Sequence, residues 1–444
     1  MITYVRIDPQ VRRFAQGRIL LGGSPSRLIR LSKCGVRLFD GWITGRPVAP
    51  ADHEQDLVRR LLDAGILHPI PGCEEATKLG ATLVIPVKND AEGLARVLQA
   101  SGGLGARIVV DDGSDPALPD ADIRHTEASG PAAARNSGWR SASTPLVVFL
   151  DADTVPSPRW LDTVLPYFDD PAVAAVAPRV RSPETGRLGR YERRHSSLDM
   201  GNAPATVHHH GRVRYVPSAA LVVRRTALEA IGGFDPDLRF GEDVDLVWRL
   251  VAAGFTVRYH PDSIVHHLPR QTIAGWLRQR FDYGTSAATL AQRHPGYLHA
   301  AYWPPTFAAQ AILAVGFPLV ATIPSLVTAS VLARRLNRRG LPWPAAAATA
   351  ARGQLGLVEQ TAAATRRLWW PIAMCSSSGR RWLAITFVLA IVPELGRGYR
   401  PGWIVLRVLD DLAYGVGVWV GCARHLVLEP LLPQVNRKFH GGSS

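Results

Sequence analysis

The apolar run from Leu146 to Leu150, which leads directly into Asp151 and Asp153, constrains the fold more than any other stretch. Five apolar residues between flanking prolines are typical of a fully buried strand. Residues two apart on an extended chain point the same way, so we expect both carboxylates on one side. Such a pair is costly to bury without a cation, and Mg2+ and Mn2+ prefer oxygen ligands. The alternative is that the two acids cap a helix expected near Trp160.

Length and charge bound the organisation of the chain. Its 444 residues suffice for roughly two or three domains, and 51 basic against 37 acidic residues give a net charge of +14. From His294 onward, 15 basic residues face 5 acidic ones, so +10 of the +14 lies in the last third. A basic third beside apolar runs favours an anionic membrane surface over nucleic acid, since no nucleic-acid-binding motif is recognisable.

Cysteine usage and the first residues bear on the cellular compartment. The four cysteines are far apart and show no paired spacing, which favours a reducing environment. Residues 1–17 are polar and contain three arginines, unlike a secretory signal. We therefore expect the first two thirds of the chain to be cytoplasmic.

Residues 1–71 are predicted to form a small separate domain. Short apolar segments at 18–21 and 27–31 favour strands, and the apolar spacing predicts helices over 34–42 and 52–64. The pattern resembles the PqqD-like winged-helix domains that hold precursor peptides in pathways to peptide-derived natural products. The residues that carry this resemblance are Leu28-Ile-Arg-Leu-Ser, Leu38-Phe-Asp-Gly and Leu61-Leu-Asp-Ala-Gly-Ile-Leu. The resemblance implies a precursor peptide or pathway protein as partner. The alternative is a packing module without a ligand.

Residues 79–290 alternate apolar runs with helical patterns, which predicts a mainly parallel α/β sheet. Strands are expected at 81–87, 107–110, 123–125 and 146–150, with helices at 91–100 and 130–140. Three of these strands end in polar clusters, namely Asn89-Asp90, Asp111-Asp112 and Asp151-Ala-Asp153. Ligands of such sheets bind beyond the carboxyl ends of the strands, so the clusters predict a ligand site at that edge.

The order of motifs over roughly residues 80–285 resembles the family 2 glycosyltransferases of the GT-A fold. The motifs are Val84-Ile-Pro-Val-Lys-Asn-Asp90, Asp111-Asp-Gly-Ser114, Ala134-Arg-Asn-Ser-Gly138, Leu150-Asp-Ala-Asp153, Ser218-Ala-Ala-Leu-Val-Val-Arg-Arg225, Gly232-Gly-Phe-Asp235, Gly241-Glu-Asp-Val-Asp-Leu246, Val265-His266 and the segment 278–284. With its flanking regions, the chain is most similar to the members found in mycofactocin systems. The resemblance implies a nucleotide-sugar-binding α/β domain between a winged-helix-like domain and a helical, membrane-associated region at 300–444.

That resemblance assigns the nucleotide to the first strand ends. Pro86, Asn89 and Asp112 would hold the base and ribose, with the carboxylate accepting hydrogen bonds. Arg135 would contact a phosphate or lock Asp112 in place. The alternative for Asp112 is a turn residue before Gly113, and an isolated arginine is commonly a surface residue.

The resemblance also implies a bound Mn2+ or Mg2+, which would stabilise the departing diphosphate as a Lewis acid. Asp153 is expected to be a direct ligand. Asp151 would bind the metal directly, through water, or face the sugar. His266 is a possible further ligand, with His267 as the competing choice and a buried structural histidine as the alternative.

A general base must take the proton of the attacking acceptor hydroxyl. Glu242-Asp243 matches the family's acidic pair, and Asp243 is the predicted base. The alternative is that both acids cap the N-terminus of the helix predicted over 244–253, where negative charge is stabilising. This role can coexist with catalysis. Further residues that could shape the acceptor side, although they are packing residues by default, are Phe234, Trp248, Arg249, Trp276 and Arg280.

The function implied by the resemblance is hexose transfer from UDP-glucose to a peptide-derived small-molecule acceptor. Attack opposite the leaving group would invert the anomeric carbon, and repeated transfer would build a β-linked oligosaccharide. One alternative is a cell-envelope polysaccharide or glycolipid glycosyltransferase. Another is a non-catalytic peptide carrier, against which the complete acidic set argues.

The C-terminal third contains a stretch of 40 residues, 294–333, without a charged side chain. Residues 307–333 are long enough for a membrane span, although Pro318 and Pro324 would kink it or make it re-entrant. The arginines that follow at 334–339 favour the cytoplasmic side. Shorter apolar stretches lie at 382–393 and 412–422. We expect membrane association with a cytoplasmic catalytic domain and leave the topology open. The alternative is a buried helical subdomain.

Overall fold

The computed structural model describes residues 3–70, 79–101, 105–316, 322–395 and 402–435, which fall into two compact units. The first unit comprises the described residues up to Gln271, apart from Phe14–Ile19. The second unit comprises Phe14–Ile19 and the described residues from Thr272 onward. The boundary at Gln271 lies inside the range predicted for the catalytic domain, 79–290. The linker expected at 71–78 lies outside the described residues.

Within residues 3–70 the chain forms five strands and two helices. They are β1 (Tyr4–Ile7), β2 (Arg12–Phe14), β3 (Ile19–Gly22), β4 (Arg27–Arg30), α1 (Lys33–Ile43), α2 (Asp52–Asp63) and β5 (Leu67–Ile70). Strands β1 and β5 pair antiparallel, while β2, β3 and β4 form a three-stranded sheet. Both predicted helices are confirmed, and the side chain of Ser32 caps α1 by accepting the Gly35 N–H. The apolar faces of α1 and α2 meet through Phe39, Trp42 and Val58, which are all buried.

The large sheet of the first unit follows the order β10-β14-β11-β13-β9-β6-β7-β8, with β12 beside β14. Its strands are β6 (Ala81–Val87), β7 (Ala106–Asp112), β8 (Ile123–His125), β9 (Leu146–Leu150), β10 (Thr154–Pro156), β11 (Val173–Arg181), β12 (Ala205–Thr206), β13 (Ala220–Arg224) and β14 (Thr256–His267). The strands predicted at 81–87, 123–125 and 146–150 are confirmed to the residue. Every residue of β9 is buried, as its continuous apolar run indicates.

Helices cover both faces of this sheet. They are α3 (Ala91–Ala100), α4 (Pro131–Ser141), α5 (Gly186–His195), α6 (Arg225–Ile231) and α7 (Glu242–Ala252). Leu94 and Val97 of α3 join the core on one face. Helix α4 approaches the opposite face closely because Gly138 has no side chain. A Cβ there would lie 2.3 Å from Cγ1 of Val84 in β6.

The N-terminal elements join the large sheet through buried polar groups. Arg59 of α2 donates two hydrogen bonds to Asp170, at 2.7 and 3.0 Å. Asp8 accepts from Arg212 at 2.8 Å, and its Oδ2 also lies 2.8 Å from Nε2 of His68. We call Asp8, His68 and Arg212 the junction cluster. Asp8 and His68 are almost fully buried, so these residues are built into the same unit as the sheet.

The second unit is mainly helical. Its elements from Thr272 onward are α8 (Ile273–Arg293), β15 (Ala301–Trp303), α9 (Pro305–Gly316), α10 (Thr322–Arg338), α11 (Trp343–Ala364), α12 (Trp370–Met374), α13 (Ser377–Leu395), α14 (Gly402–His425) and β16 (Pro433–Val435). Helices α8 and α14 pack closely through glycines. A Cβ on Gly284 would lie 2.2 Å from the carbonyl oxygen of Tyr414, and one on Gly417 would lie 2.1 Å from that of Phe281.

The apolar stretch at 307–333 is divided between α9 and α10. Pro324 is the third residue of α10, where a proline is tolerated because its missing N–H would have no helical partner. Pro318 lies outside the described residues. Within the described ranges of the chain, none of the helices combines the length and apolar character needed to cross a bilayer.

Candidate functional site

Six strands of the large sheet, β6, β7, β8, β9, β11 and β14, run in the same direction. Their carboxyl ends therefore meet at one edge. The predicted polar clusters after β6, β7 and β9 all lie there, together with the ends of β11 and β14. This is the edge at which open α/β sheets bind ligands.

The two acids after β9 do not point the same way, contrary to the sequence expectation. The strand ends at Leu150, and a turn follows in which the Asp151 carbonyl accepts the N–H of Thr154 at 3.0 Å. The turn separates the carboxylates, so Asp151 bonds to Arg135 while Asp153 lies near His267. The alternative of a helix cap is also wrong, since strand β10 begins at Thr154.

Arg135 of α4 joins two carboxylates from different parts of the chain. Its guanidinium donates to Asp151 at 2.6 Å and to Glu242 at 2.9 Å, and it lies over the ring of Phe234. Burial disfavours the charged form, but Asp151 and Glu242 outweigh it and raise the pKa of Arg135. We call Arg135, Asp151, Glu242 and Asp243 the site cluster. The expectation that Arg135 would lock Asp112 is wrong, because α4 directs it toward β9 and α7.

The other residues of the Arg135-Asn-Ser-Gly138 motif fix the loop before α7. The side-chain amide of Asn136 donates to the Phe234 carbonyl at 2.7 Å, and its oxygen accepts the Phe234 N–H at 3.0 Å. Trp139 donates to that same oxygen at 2.8 Å. A Cβ on Gly233 would lie 2.6 Å from both Asn136 and Trp139, and φ there is +77°. Only glycine fits this position.

The carboxylate of Asp112 holds the loop that precedes α4. It accepts the N–H groups of Ser129 and Gly130 at 2.9 and 2.8 Å, and it lies 2.8 Å from Nδ1 of His125. Nε2 of His125 in turn lies 2.9 Å from the Ser137 hydroxyl. Asp112 is the last residue of β7, so the alternative of a turn residue before Gly113 is not what the structure shows. The nucleotide role stays a prediction.

Asn89 links the ends of β6 and β7. Its backbone has φ of +52°, its N–H donates to the Ser114 hydroxyl at 2.8 Å, and its side-chain oxygen accepts the Asp115 N–H at 2.9 Å. Pro86 lies within β6 opposite Val110 of β7. Both predicted nucleotide-binding residues are therefore at the expected edge of the sheet.

Of the two neighbouring histidines, His267 approaches the acidic turn. Its Nε2 lies 3.4 Å from Oδ1 of Asp153. Successive side chains of a strand face opposite sides, so His266 faces away from Asp153, and the choice of His266 as metal ligand does not fit this geometry. Among the described residues there is no group of three or more His, Cys, Asp or Glu side chains arranged around a metal position.

The acidic pair begins helix α7, and both carboxylates have perturbed protonation. Burial raises the pKa of Glu242 to about 7, and the charge of Asp243 adds to the rise. Burial also raises the pKa of Asp243, although Arg135 and two backbone N–H groups act in the opposite direction. Those N–H groups belong to Val244, at 2.8 Å, and Ser218, at 3.3 Å. A carboxylate that titrates near neutral pH is suited to accept a proton.

Residues farther along α7 hold this helix in place. Arg249 donates to Asp245 at 2.7 Å and to the carbonyl groups of Ile231 and Gly233 at 2.8 and 2.7 Å. Trp248 donates to the Arg214 carbonyl. Their packing role is confirmed. The ion pair between Asp245 and Arg249 was not predicted, although a spacing of four residues is a sign of a helical ion pair.

Comparisons with known proteins follow from both sequence and structure. A sequence model of the family described as "Glycosyltransferase like family 2" matches residues 82–282. The chain is 38% identical to the pre-mycofactocin glycosyltransferase of Mycobacterium tuberculosis over an alignment of 467 residues that covers 97% of each chain. It is 25% identical over 224 residues to the poly-beta-1,6-N-acetyl-D-glucosamine synthase of Staphylococcus aureus, covering 45% of this chain and 53% of that one. A mannosyltransferase of Pyrobaculum calidifontis, solved in complex with GDP-Man and Mn2+, aligns with a TM-score of 0.45 and 19% identity over 80% of this chain and 89% of that one.

Proposed function

The chain belongs to the glycosyltransferases of family 2 that include the pre-mycofactocin glycosyltransferase, and we propose that it transfers a hexose to a peptide-derived small molecule, the precursor of mycofactocin. It is a nucleotide-sugar-dependent glycosyltransferase. The observation that carries the proposal is the length of the similarity. Because the alignment covers 97% of both chains, it includes the N-terminal and C-terminal regions that most differ from the family domain at 82–282.

UDP-glucose is the proposed donor. Its diphosphate would lie beside Asp153, beyond the end of β9, and its base and ribose near Asn89 and Asp112. The carboxylate of Asp153 suits a hard divalent cation such as Mn2+, and the imidazole of His267, whose Nε2 lies 3.4 Å from it, would be a softer second ligand. Oxygen atoms of the donor diphosphate would complete the ligand set. When bound, Mn2+ or Mg2+ would stabilise negative charge on the departing diphosphate.

Asp243 is the proposed general base. Its raised pKa supports this role, as do its backbone hydrogen bonds, which fix the carboxylate without neutralising it. Glu242 forms an ion pair with Arg135 beside the proposed base, and its raised pKa makes its own charge depend on pH near neutrality. Removal of the hydroxyl proton as the acceptor attacks opposite the diphosphate gives inversion at the anomeric carbon. Repeated transfer would yield a β-linked oligosaccharide.

The N-terminal elements are proposed to recruit a peptide or pathway protein. Support comes from their two small sheets and paired helices, together with the full-length similarity to the pre-mycofactocin glycosyltransferase. Arg59 and Arg212 attach these elements to the rest of the first unit, so deleting them would disturb its packing. Point variants therefore test the proposal better than a deletion. Variants of the exposed Tyr4 and Ile70 should raise the KM for the acceptor and leave donor hydrolysis unchanged. Unchanged acceptor KM would favour the packing module.

Membrane association is proposed for the second unit, as attachment to the surface of a bilayer on its cytoplasmic side. Apolar side chains of α10 are exposed, including Ile323, Leu326 and Val327 at 62, 69 and 56%. The end of the same helix carries Arg335 and Arg338. Exposed apolar side chains beside cations are typical of helices that lie on anionic lipid.

Vesicle flotation tests this attachment. The full chain should float with vesicles of phosphatidylcholine and phosphatidylglycerol, and binding should weaken at 1 M salt. Leu326→Glu should reduce flotation more than Arg352→Gln on α11, which serves as the control. Equal recovery of wild type with and without vesicles would point to a helical subdomain that does not bind lipid.

The proposed activity is tested by incubating the full chain with Mn2+, labelled UDP-glucose and the mycofactocin precursor. The expected product carries one or more added hexoses in its mass spectrum. Parallel reactions with UDP-galactose, UDP-N-acetylglucosamine and GDP-mannose establish the donor. Transfer to membrane lipids but not to the precursor would favour a glycolipid glycosyltransferase. Binding of the precursor without turnover of any donor would favour a carrier.

A further inference from the structure

A group of basic side chains at the carboxyl ends of β11 and β14 has no role in the mechanism above. Arg181 is the last residue of β11 and pairs in parallel register with His266 of β14. Burial lowers the pKa of each side chain, and the charge of Arg193 on α5 lowers both further. We call Arg181, Arg193 and His266 the basic cluster.

The positive charge of the basic cluster is not matched by nearby carboxylates. Asp199 accepts two hydrogen bonds from Arg179, at 2.8 and 2.9 Å, and lies 3.8 Å from Arg181, beyond hydrogen-bond distance. Glu184 lies 3.5 Å from Arg193, but its side chain is 64% exposed, so water weakens the attraction. Asp199 is therefore hydrogen-bonded to Arg179, and Glu184 is largely exposed to solvent.

Two buried nitrogen atoms of the basic cluster lack a partner within the described part of the chain. They are Nε of Arg181 and Nδ1 of His266. A buried polar atom without a partner is unfavourable unless another group satisfies it. Burial and the charges of Arg179 and Arg193 lower the pKa of Arg181, and Asp199 and Glu184 do not offset them. An oxyanion would supply both the charge and the acceptors.

The position of the basic cluster relates it to the reaction. Val180 and Val265 belong to the core on one face of the sheet, so the members of the basic cluster that follow them face the opposite side. In β6, Leu83 and Ile85 belong to that core, so Val84 between them faces the opposite side. Helix α4, which carries Arg135, packs against Val84 and therefore lies on the same side as the basic cluster. The basic cluster and the site cluster therefore share one face at the edge where the strands end.

We infer that the basic cluster binds an oxyanion group of a substrate during sugar transfer. The group is either a phosphate of the donor or an anionic group of the acceptor, because both would be brought to this edge. Arg181 provides the main charge, and His266 donates a hydrogen bond in the tautomer whose proton is on Nδ1. The inference rests on the proposed function for its substrates, whereas binding of the anion itself can be measured without turnover.

Calorimetric titration of inorganic phosphate into the full chain tests the inference. Arg181→Gln should weaken phosphate binding by about tenfold or more, as loss of a charged hydrogen bond predicts. His266→Asn should weaken it less. Arg181→Lys should restore part of the affinity, because it keeps the charge. Arg187→Gln is the matched control, since Arg187 is exposed on the same helix as Arg193.

Repeating the titration with the protein saturated by UDP or GDP, whichever binds, distinguishes the two sources. Loss of Arg181-dependent phosphate binding in the presence of the nucleotide assigns the cluster to the donor diphosphate. Persistence of that binding assigns it to an anionic group of the acceptor. The inference is overturned if Arg181→Gln binds phosphate like Arg187→Gln while retaining the thermal midpoint of wild type. Absence of sugar transfer by a wild-type protein that binds phosphate through Arg181 would defeat the proposed function alone.

Discussion

The junction cluster and the site cluster place buried acids in opposite electrostatic surroundings. At the junction, Asp8 accepts from Arg212 and from the N–H of Gln10 and lies against His68, all at 2.8 Å. At the site, the single guanidinium of Arg135 serves both Asp151 and Glu242, with Asp243 adjacent. The junction therefore gives its one carboxylate several donors, while the site cluster has three acids and one cation.

This difference decides the protonation of the acids. Burial disfavours the charged form of Asp8, but the hydrogen bonds from His68 and Arg212 outweigh it and hold its pKa well below the usual range. Burial of Glu242 is not outweighed by Arg135, so its pKa rises to about 7. Of these two buried acids, Asp8 is therefore ionised at neutral pH and joins two sets of elements, whereas Glu242 can exchange a proton near neutral pH. We therefore expect changes in the junction cluster to affect the stability of the fold and changes in the site cluster to affect turnover.

The largest expected effect is on turnover at the site. Asp243→Asn keeps the shape of the side chain but removes proton acceptance, so kcat should fall by roughly 100- to 10,000-fold with donor affinity nearly unchanged. If Asp243 served only the helix N-terminus, the change would cost at most ~1 kcal/mol of stability and activity would stay near normal. Steady-state kinetics on folded protein separate these outcomes. Glu242→Gln should reduce kcat less, and the exposed Asp237→Asn is a neutral control.

A second test addresses Asp153 and His267, which lie outside the site cluster, as a metal position. Asp153→Asn should weaken Mn2+ binding in calorimetry by at least ~10–100-fold and remove most activity, because a charged ligand is lost. His267→Asn should act in the same direction, while His266→Asn should leave Mn2+ affinity unchanged. EDTA should abolish turnover of the wild type. Full activity in EDTA would end the metal-dependent proposal.

At the junction, the expected effect is on stability alone. Asp8→Asn leaves the half-buried Arg212 without its counter-charge, which should cost about 3 kcal/mol in urea unfolding, the lower end of the range for a buried pair. Asp262→Asn is the control, because its ion pair with Arg6 is exposed and such pairs contribute less than ~1 kcal/mol. Since the pKa of Asp8 is lowered on folding, its contribution is present above pH ~4 and is lost as the pH falls further. If Asp8→Asn and Asp262→Asn lowered the free energy of unfolding equally, the junction cluster would not stabilise the fold as described.

The smallest expected effect is a pH dependence of opposite sign at Glu242. A pKa raised from 4.5 to about 7 means that folding favours the protonated acid, so stability is lost as the pH rises through 7. Glu242→Gln lacks this loss, and its stability relative to wild type should increase by up to ~3 kcal/mol between pH 5 and pH 8. Thermal unfolding across this range measures the difference. Glu229→Gln, at an exposed ion pair, should show no such trend.

Much of the first unit follows from the sequence. The boundaries of β6 and β9 are predicted to the residue, because continuous apolar runs end at polar clusters there. Those of β8 are also predicted to the residue, although Ile123-Arg-His125 is not such a run. Helices α1, α2 and α3 follow from apolar spacing, and in the structure Ser32 and Asp90 cap α1 and α3. In the second unit the same reasoning was less successful. The apolar stretch at 307–333 is not one helix, because length and apolar content do not reveal where a helix ends.

The site was predicted as a set of residues, but its internal pairing was not. The motifs identified Arg135, Asp151, Asp153 and Glu242, although not which acid the arginine would bind. The turn that separates Asp151 from Asp153 and the choice of His267 over His266 depend on where β9 and β14 end. Strand alternation could have indicated that only one of the two histidines faces the turn, although the register of β10 against β14 was needed to tell which.

The sequence by itself determined the elements of the sheet, the edge at which a ligand would bind and the chemical types gathered there. These features depend on residues close together in the chain. Tertiary structure alone decided the charge pairs, since Arg135 and Glu242 are 107 positions apart and Asp8 and Arg212 are 204 apart. The protonation of each acid depends on how deeply it is buried and on how many donors reach it. Both quantities arise only when distant segments pack together, so the sequence could name the acids but not their pKa values.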